Sequence, residues 1–108
     1  MSHTESLEKE IKKFAALFIS QESNRTSLIT ITRCEISSDG KRALLYVSVL
    51  PNSAEAYVVD FLKRRQDDVR GYIKSHSRIG AVPWIRFIID NGEKNRQRVT
   101  ELLQENEE

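Results

Sequence analysis

The chain of 108 residues has few of the residues that usually mark a specialised site. It contains one cysteine, four glycines, two prolines and two histidines. A single cysteine excludes an internal disulfide, and four scattered glycines leave no glycine-rich phosphate loop. No apolar run approaches the roughly 20 residues that cross a bilayer, and the N-terminal stretch lacks the basic and apolar parts of a secretory signal. These absences predict a cytoplasmic protein, and a length of 108 residues predicts one domain.

The same scarcity argues against catalysis. His3 lies near the N-terminus, and His76 falls on the apolar side of a predicted helix, where we expect a buried histidine with a structural role. No cysteine and histidine set has the spacing of a zinc site. Asp67 and Asp68 are adjacent, so on a helix their side chains diverge by about 100° and do not form an acid–base pair. We therefore expect no enzyme activity, cofactor, metal site or small-molecule substrate.

The charges are almost balanced in number but unevenly distributed. The net charge is +1, yet residues 101–108 hold four acidic residues and no basic one, whereas residues 61–86 hold seven basic and two acidic residues. A local basic surface attracts phosphate groups, although a solvated helix face is the alternative. We predict that RNA phosphates contact the seven basic side chains of this stretch, which are Lys63, Arg64, Arg65, Arg70, Lys74, Arg78 and Arg86.

The first half of the chain predicts a helix followed by a β-hairpin. Apolar residues recur at helical spacing over Ser6–Ser20. Two strand-like runs, Leu28–Ser37 and Ala43–Leu50, flank an Asp-Gly turn. The apolar alternation of the first run changes phase partway, which predicts a bulge near Thr32 or Arg33. With that bulge, the single cysteine becomes a small core residue.

A helical pattern covers Ala54 to about Ser77, and Asn52 has the spacing of an N-terminal cap. Apolar side chains share one side of this helix, and most of the basic side chains lie opposite. An unbroken helix would point Arg65 into the apolar side. We therefore predict a bend at Arg65-Gln66-Asp67, because a helix of this length is unusual in so small a domain.

A third strand follows Pro83, because apolar residues alternate up to the turn at 90–92. A short terminal helix and an acidic tail are predicted over 93–108. The order α-β-β-α-α-β, with a three-stranded sheet and a short C-terminal helix, predicts an α+β domain. Trp84 and Arg86 alternate with the apolar residues, so both are candidates for outward contacts with RNA. For Trp84 the alternative is packing under the terminal helix or at the sheet edge.

Two segments together carry a family resemblance. The hairpin SLITITRCEISSDGKRALLYVSVLP and the later VPWIRFIID, in this order and at this spacing, resemble bacterial ribosome-binding factor A. The resemblance spans most of residues 7–103. It implies a KH-like fold of type II and a cytoplasmic protein that binds the small (30S) ribosomal subunit and its 16S rRNA. It further implies a role in late maturation of that subunit and in rRNA processing.

The chain departs from this family at one place. KH domains clamp RNA with a Gly-x-x-Gly loop, which the family replaces by an Ala-x-Gly kink. An ungapped comparison places Arg65-Gln66-Asp67 at the kink, and a rival register places Val69-Arg70-Gly71 there. The chain is therefore identified as a divergent member of the family. We expect it to be a monomer. The alternative function is a KH-like module that binds a protein associated with translation.

Overall fold

The computed structural model of the chain describes residues 3–22 and 28–90. The elements are α1 (His3–Glu22), β1 (Leu28–Ile36), β2 (Arg42–Leu50), α2 (Glu55–Arg64), α3 (Gln66–His76) and β3 (Trp84–Ile89). The predicted order α-β-β-α-α-β and the α+β class are confirmed. The first helix is longer at both ends than its apolar pattern predicted. The predicted terminal helix and acidic tail over 93–108 lie outside the described residues.

Strand β2 lies in the middle of the sheet, antiparallel to β1 and parallel to β3. The Asp39 side chain organises the tight turn between β1 and β2. The Ser37 hydroxyl donates to the Asp39 carboxylate at 2.6 Å, and the Lys41 N–H donates to the same oxygen at 3.0 Å. These hydrogen bonds, with that of Ser37 the stronger, lower the pKa of Asp39. Gly40 follows with φ of 73°, a conformation that glycine adopts without strain.

The predicted bulge in β1 is confirmed at Thr32. The register with β2 shifts between Ile31 and Arg33, so Thr32 is the extra residue. Its carbonyl accepts a hydrogen bond from Lys12 Nζ at 3.2 Å, and its hydroxyl donates to the Asp90 carboxylate at 2.6 Å. The bulge turns the Cys34 side chain into the core, where burial raises the pKa of the thiol to about 12. The thiol is therefore protonated, and Cys34 is a structural residue.

The three helices cover one side of the sheet. The main core joins apolar side chains of α1, α2 and α3 to alternate residues of the strands, including Ile11, Leu45, Leu62, Ile73 and Phe87. The side of the sheet turned away from the helices is called the far face below. Leu44 and Tyr46 of β2 lie on it and are also buried. Burial raises the pKa of Tyr46 to about 12.

The long helical pattern of the sequence is two helices. Helix α2 ends at Arg64 and α3 begins at Gln66. The Arg65 N–H donates to the Leu62 carbonyl at 3.0 Å and closes α2, while the Arg65 carbonyl accepts from the Val69 N–H and opens the hydrogen-bond series of α3. The predicted Asn52 cap is wrong. Residues Asn52–Ala54 form a 3₁₀ turn, and no side chain caps α2.

No helix within 3–22 and 28–90 has the length and apolar character to cross a membrane. No group of His, Cys, Asp and Glu side chains in these ranges is placed to hold a metal ion.

Candidate nucleic-acid interface

The predicted RNA-binding residues lie at five places in the fold. Lys63 and Arg64 end α2, Arg65 lies at the junction, and Arg70 and Lys74 follow one turn apart on α3. The remaining two are Arg78, just after α3, and Arg86 on the far face of β3. The seven residues therefore do not share one helical face.

Three of these cations point into solvent, and we call them the outward set. Lys63, Lys74 and Arg78 are exposed, and none of the three forms an ion pair within the described residues. Arg64 is also exposed but pairs with Asp60 at 3.1 Å. Exposed pairs of this kind contribute about 0–1 kcal/mol, so a phosphate can replace Asp60 at little cost.

Arg65 is engaged inside the protein. Its guanidinium pairs with Glu22 at the end of α1 at 2.8 Å and with Asp68 of α3 at 3.0 Å. Its Cζ also lies 5.6 Å from the ring centre of Phe61 on α2. One side chain thus joins the three helices at the point where α2 ends. The sequence signalled a misfit at this position but not these partners.

Gln66 and Arg70 bind β3 and the segment that leads into it. The Gln66 side-chain oxygen accepts a hydrogen bond from the Phe87 N–H at 3.3 Å. The Arg70 Nε donates to the Val82 and Pro83 carbonyls at 3.1 and 3.3 Å. These bonds satisfy backbone groups of an edge strand and of the turn before it. Arg70, which the helical wheel placed among the solvent-facing cations, is partly buried as a result.

Trp84 is largely exposed at the start of the edge strand β3. The predicted alternative of packing under the terminal helix lies outside the described residues. The Trp84 side chain is 57% exposed, and the Arg70 Cζ lies 4.0 Å from its ring centre. Arg86 follows two residues later and is exposed on the same far face. Because Arg70 of α3 contacts Trp84, it lies next to the far face on which Arg86 is exposed.

The prediction that His76 is a buried core residue is wrong. His76 is exposed at the end of α3, and its ring stacks on Tyr72 with centres 3.9 Å apart. The ring nitrogen Nδ1 lies 2.9 Å from the Tyr72 carbonyl and from the Ser75 hydroxyl. Val69 and Ile73 of α3 are buried as the wheel placed them, so the wheel fails at His76, the last residue of the helix.

Comparison with known protein sequences identifies relatives along almost the whole chain. The family described as "Ribosome-binding factor A" matches residues 3–103. The ribosome-binding factor A of Fervidobacterium nodosum is 36% identical over 103 residues, covering 90% of this chain and 82% of that protein. The Coprothermobacter proteolyticus protein of the same name is 28% identical and covers 94% of this chain and 75% of its own.

Solved structures give the same answer for the fold. The crystal structure of ribosome-binding factor A from Thermus thermophilus has a TM-score of 0.72 at 20% identity, covering 82% of this chain and 97% of that one. The solution structure of a Thermotoga maritima protein described as a putative ribosome binding factor A has a TM-score of 0.67 at 30% identity, with coverage of 82% and 88%. A T. thermophilus homology model fitted into a map of a 30S complex has a TM-score of 0.66 at 21% identity, covering 77% of this chain and 90% of that one. With a family match over residues 3–103, the chain belongs to the ribosome-binding factor A family.

Proposed function

We propose that this protein binds the small ribosomal subunit by placing the outward set against phosphates of 16S rRNA. It acts in the cytoplasm as a monomer, during late maturation of the subunit and rRNA processing. The observation that carries the proposal is the exposure of Lys63, Lys74 and Arg78 without an ion pair in the described residues. The T. thermophilus relative fitted into a map of a 30S complex supports the choice of partner.

The action we propose requires no reacting group, cofactor or metal. Contacts with phosphates fix the position and orientation of a protein on RNA but do not read its sequence. A rigid α+β domain that holds several phosphates at fixed separations stabilises the RNA conformation in which those separations occur. Binding energy alone therefore biases the folding of the rRNA, and dissociation ends the effect.

Charge reversal of two outward lysines tests the proposal. We expect Lys63→Glu with Lys74→Glu to weaken binding to small subunits by about a hundredfold, because two phosphate contacts become repulsions. Co-sedimentation with purified small subunits measures the affinity. Both side chains are exposed, so the thermal unfolding midpoint is expected to stay unchanged.

The matched control is Lys9→Glu with Lys13→Glu, which changes the net charge equally on exposed positions of α1. We expect this variant to co-sediment nearly as the wild type does. Equal weakening by both variants would indicate attraction by net charge alone, without a defined surface. Wild-type binding by the Lys63 and Lys74 variant would remove the proposal.

A second candidate function is binding to a protein, and an exposed apolar pair favours it. Leu28 and Leu50 face each other at the open end of the β1–β2 hairpin and are 61% and 59% exposed. Adjacent exposed leucines are typical of protein contacts. If this pair were the docking site, Leu50→Asp would abolish co-sedimentation and salt would have little effect on affinity.

A further inference from the structure

Trp84 is the only tryptophan of the chain, and it is largely exposed. The Arg70 guanidinium lies 4.0 Å from its ring centre and covers one face of the indole. The exposed 57% of the side chain therefore belongs mainly to the opposite face and the ring edge. A flat aromatic surface that is open on one side is suited to stacking with another flat group.

The indole is held in place before any partner arrives. The Arg70 Nε bonds to the Val82 and Pro83 carbonyls, so the guanidinium behind the ring is fixed. The Trp84 backbone N–H donates to the Lys41 carbonyl at 2.9 Å and anchors the start of β3. A partner that stacks on this ring consequently loses little binding energy to ordering of the protein.

The surroundings of the indole are positively charged. Arg86 lies on the same far face, about 7 Å along the strand, and Arg42 is the residue opposite Trp84 on β2. The Arg42 guanidinium also lies 4.0 Å from the exposed Asp39 carboxylate, a distance at which an exposed pair is weak. Trp84 therefore has an arginine behind its ring and two arginines as neighbours on the sheet. This combination favours a flat group that is attached to negative charge, which describes a nucleotide better than an aromatic side chain.

We propose that Trp84 is a stacking platform for one unpaired base of RNA. Arg86 and Arg42 contact the phosphates on either side of that base, and Arg70 is a positioning residue that holds the indole. The inference rests on the proposed function, since it assigns part of the rRNA contact to the far face of the sheet. It adds a preference for single-stranded RNA, which phosphate contacts alone do not provide.

The intrinsic fluorescence of Trp84 reports stacking directly, because no other tryptophan contributes. We expect a short single-stranded oligoadenylate to quench the emission as it binds. The same RNA annealed to its complement should bind through phosphates with much less quenching. In Trp84→Leu, the affinity for the single strand, measured by anisotropy of labelled RNA, is expected to fall about tenfold.

Two further variants separate stacking from structural damage. Trp84→Phe keeps an aromatic face and should retain most of the affinity for the single strand. Tyr57→Leu changes an equally exposed aromatic residue on α2, with 58% exposure, and should bind as the wild type does. A loss in Trp84→Leu that Trp84→Phe does not restore would overturn the proposal, because the ring would then act only in folding.

The remaining outcomes separate failure of the stacking proposal from failure of the proposed function. Unchanged emission when the single strand saturates the protein would reject the platform, while binding to the subunit would leave the proposed function intact. Binding to RNA-free proteins of the subunit that Trp84→Leu weakens, with no effect of the substitution on RNA binding, would overturn the platform and assign Trp84 to a protein contact. Absence of any binding to small subunits would reject the proposed function itself.

Discussion

Two groups of cations within sixteen residues of the chain have different environments. Lys63, Lys74 and Arg78 form the outward set, exposed and without an ion pair in the described ranges. Arg65 and Arg70, which we call the junction arginines, each make three contacts inside the protein. Equal formal charge in a sequence therefore does not mean equal availability to a phosphate.

The chemistry of the side chains explains part of the difference. A guanidinium is planar, carries five N–H donors in a fixed arrangement and stacks on aromatic rings, so it can join several elements at once. Arg65 uses this to link α1, α2 and α3, and Arg70 uses it to link α3 to the start of β3. A lysine ammonium is compact and strongly hydrated, which suits an exposed phosphate contact.

The largest effect on stability is expected from reversing the charge of a junction arginine. Arg65→Glu removes two ion pairs and places a third carboxylate beside Glu22 and Asp68. Because the site is about one-third exposed, we expect the free energy of unfolding to fall by about 2 kcal/mol, and not by the larger amount typical of a buried charge. Urea unfolding followed by circular dichroism measures it.

Lys74→Glu is the matched change in the outward set and is expected to leave the free energy of unfolding within about 0.5 kcal/mol of the wild type. Adding Glu22→Arg to Arg65→Glu should recover part of the loss, since one of the two ion pairs re-forms with exchanged charges. Equal stability of the Arg65 and Lys74 variants would show that the two groups of cations do not differ.

A second experiment asks which cations meet phosphates. If Lys63, Lys74, Arg78 and Arg86 each neutralise one phosphate, the logarithm of the affinity should fall against the logarithm of salt concentration with a slope of about −3. Lys74→Met removes one contact and should make this slope shallower by about 1. The measurement is a series of binding titrations with small subunits at increasing salt.

Arg65→Met provides the comparison, because it removes the same charge from the same region. Since Arg65 is engaged by Glu22 and Asp68, we expect the slope to stay at the wild-type value. A shallower slope in this variant would mean that Arg65 leaves its partners to contact RNA. The sequence prediction that all seven basic residues bind RNA would then hold for a junction arginine.

The fold was predictable because its signals are local. Alternation placed the strands, the phase change predicted the bulge near Thr32 or Arg33, and the misfit of Arg65 indicated the break between two helices. Each of these signals needs only neighbouring residues. The order and spacing of the hairpin and the VPWIRFIID segment then added the family and its fold.

The roles of individual side chains were less predictable, because their partners lie far along the chain. Arg70 bonds to carbonyls 12 and 13 residues away, and Gln66 bonds to the N–H of Phe87, 21 residues away. A helical wheel contains no such information. It also gives the direction of a side chain but not whether the core extends to the end of the helix, so it placed His76, the last residue of α3, on the buried side although the residue is exposed.

The smallest effect on stability is expected at Gly71, which lies between Arg70 and Lys74. One of the two family alignments placed the kink at Val69-Arg70-Gly71. The break lies at Arg65 instead, so Gly71 is an exposed residue inside α3, and an added Cβ would meet no atom within 4 Å. Glycine inside a helix costs about 0.5–1 kcal/mol relative to alanine. We therefore expect Gly71→Ala to raise the free energy of unfolding by that amount, measured by urea unfolding.

Gly40→Ala is the opposing control, because Gly40 has φ of 73° and an alanine there is strained. It should lower the free energy of unfolding by about 1 kcal/mol. If Gly71→Ala also destabilised the protein, a kink at residues 69–71 would be required, and Lys74 would lose its place one helical turn beyond Arg70. If Gly71→Ala is more stable but binds small subunits less well, the RNA must approach the backbone of α3 closely, and the outward set would extend to that surface.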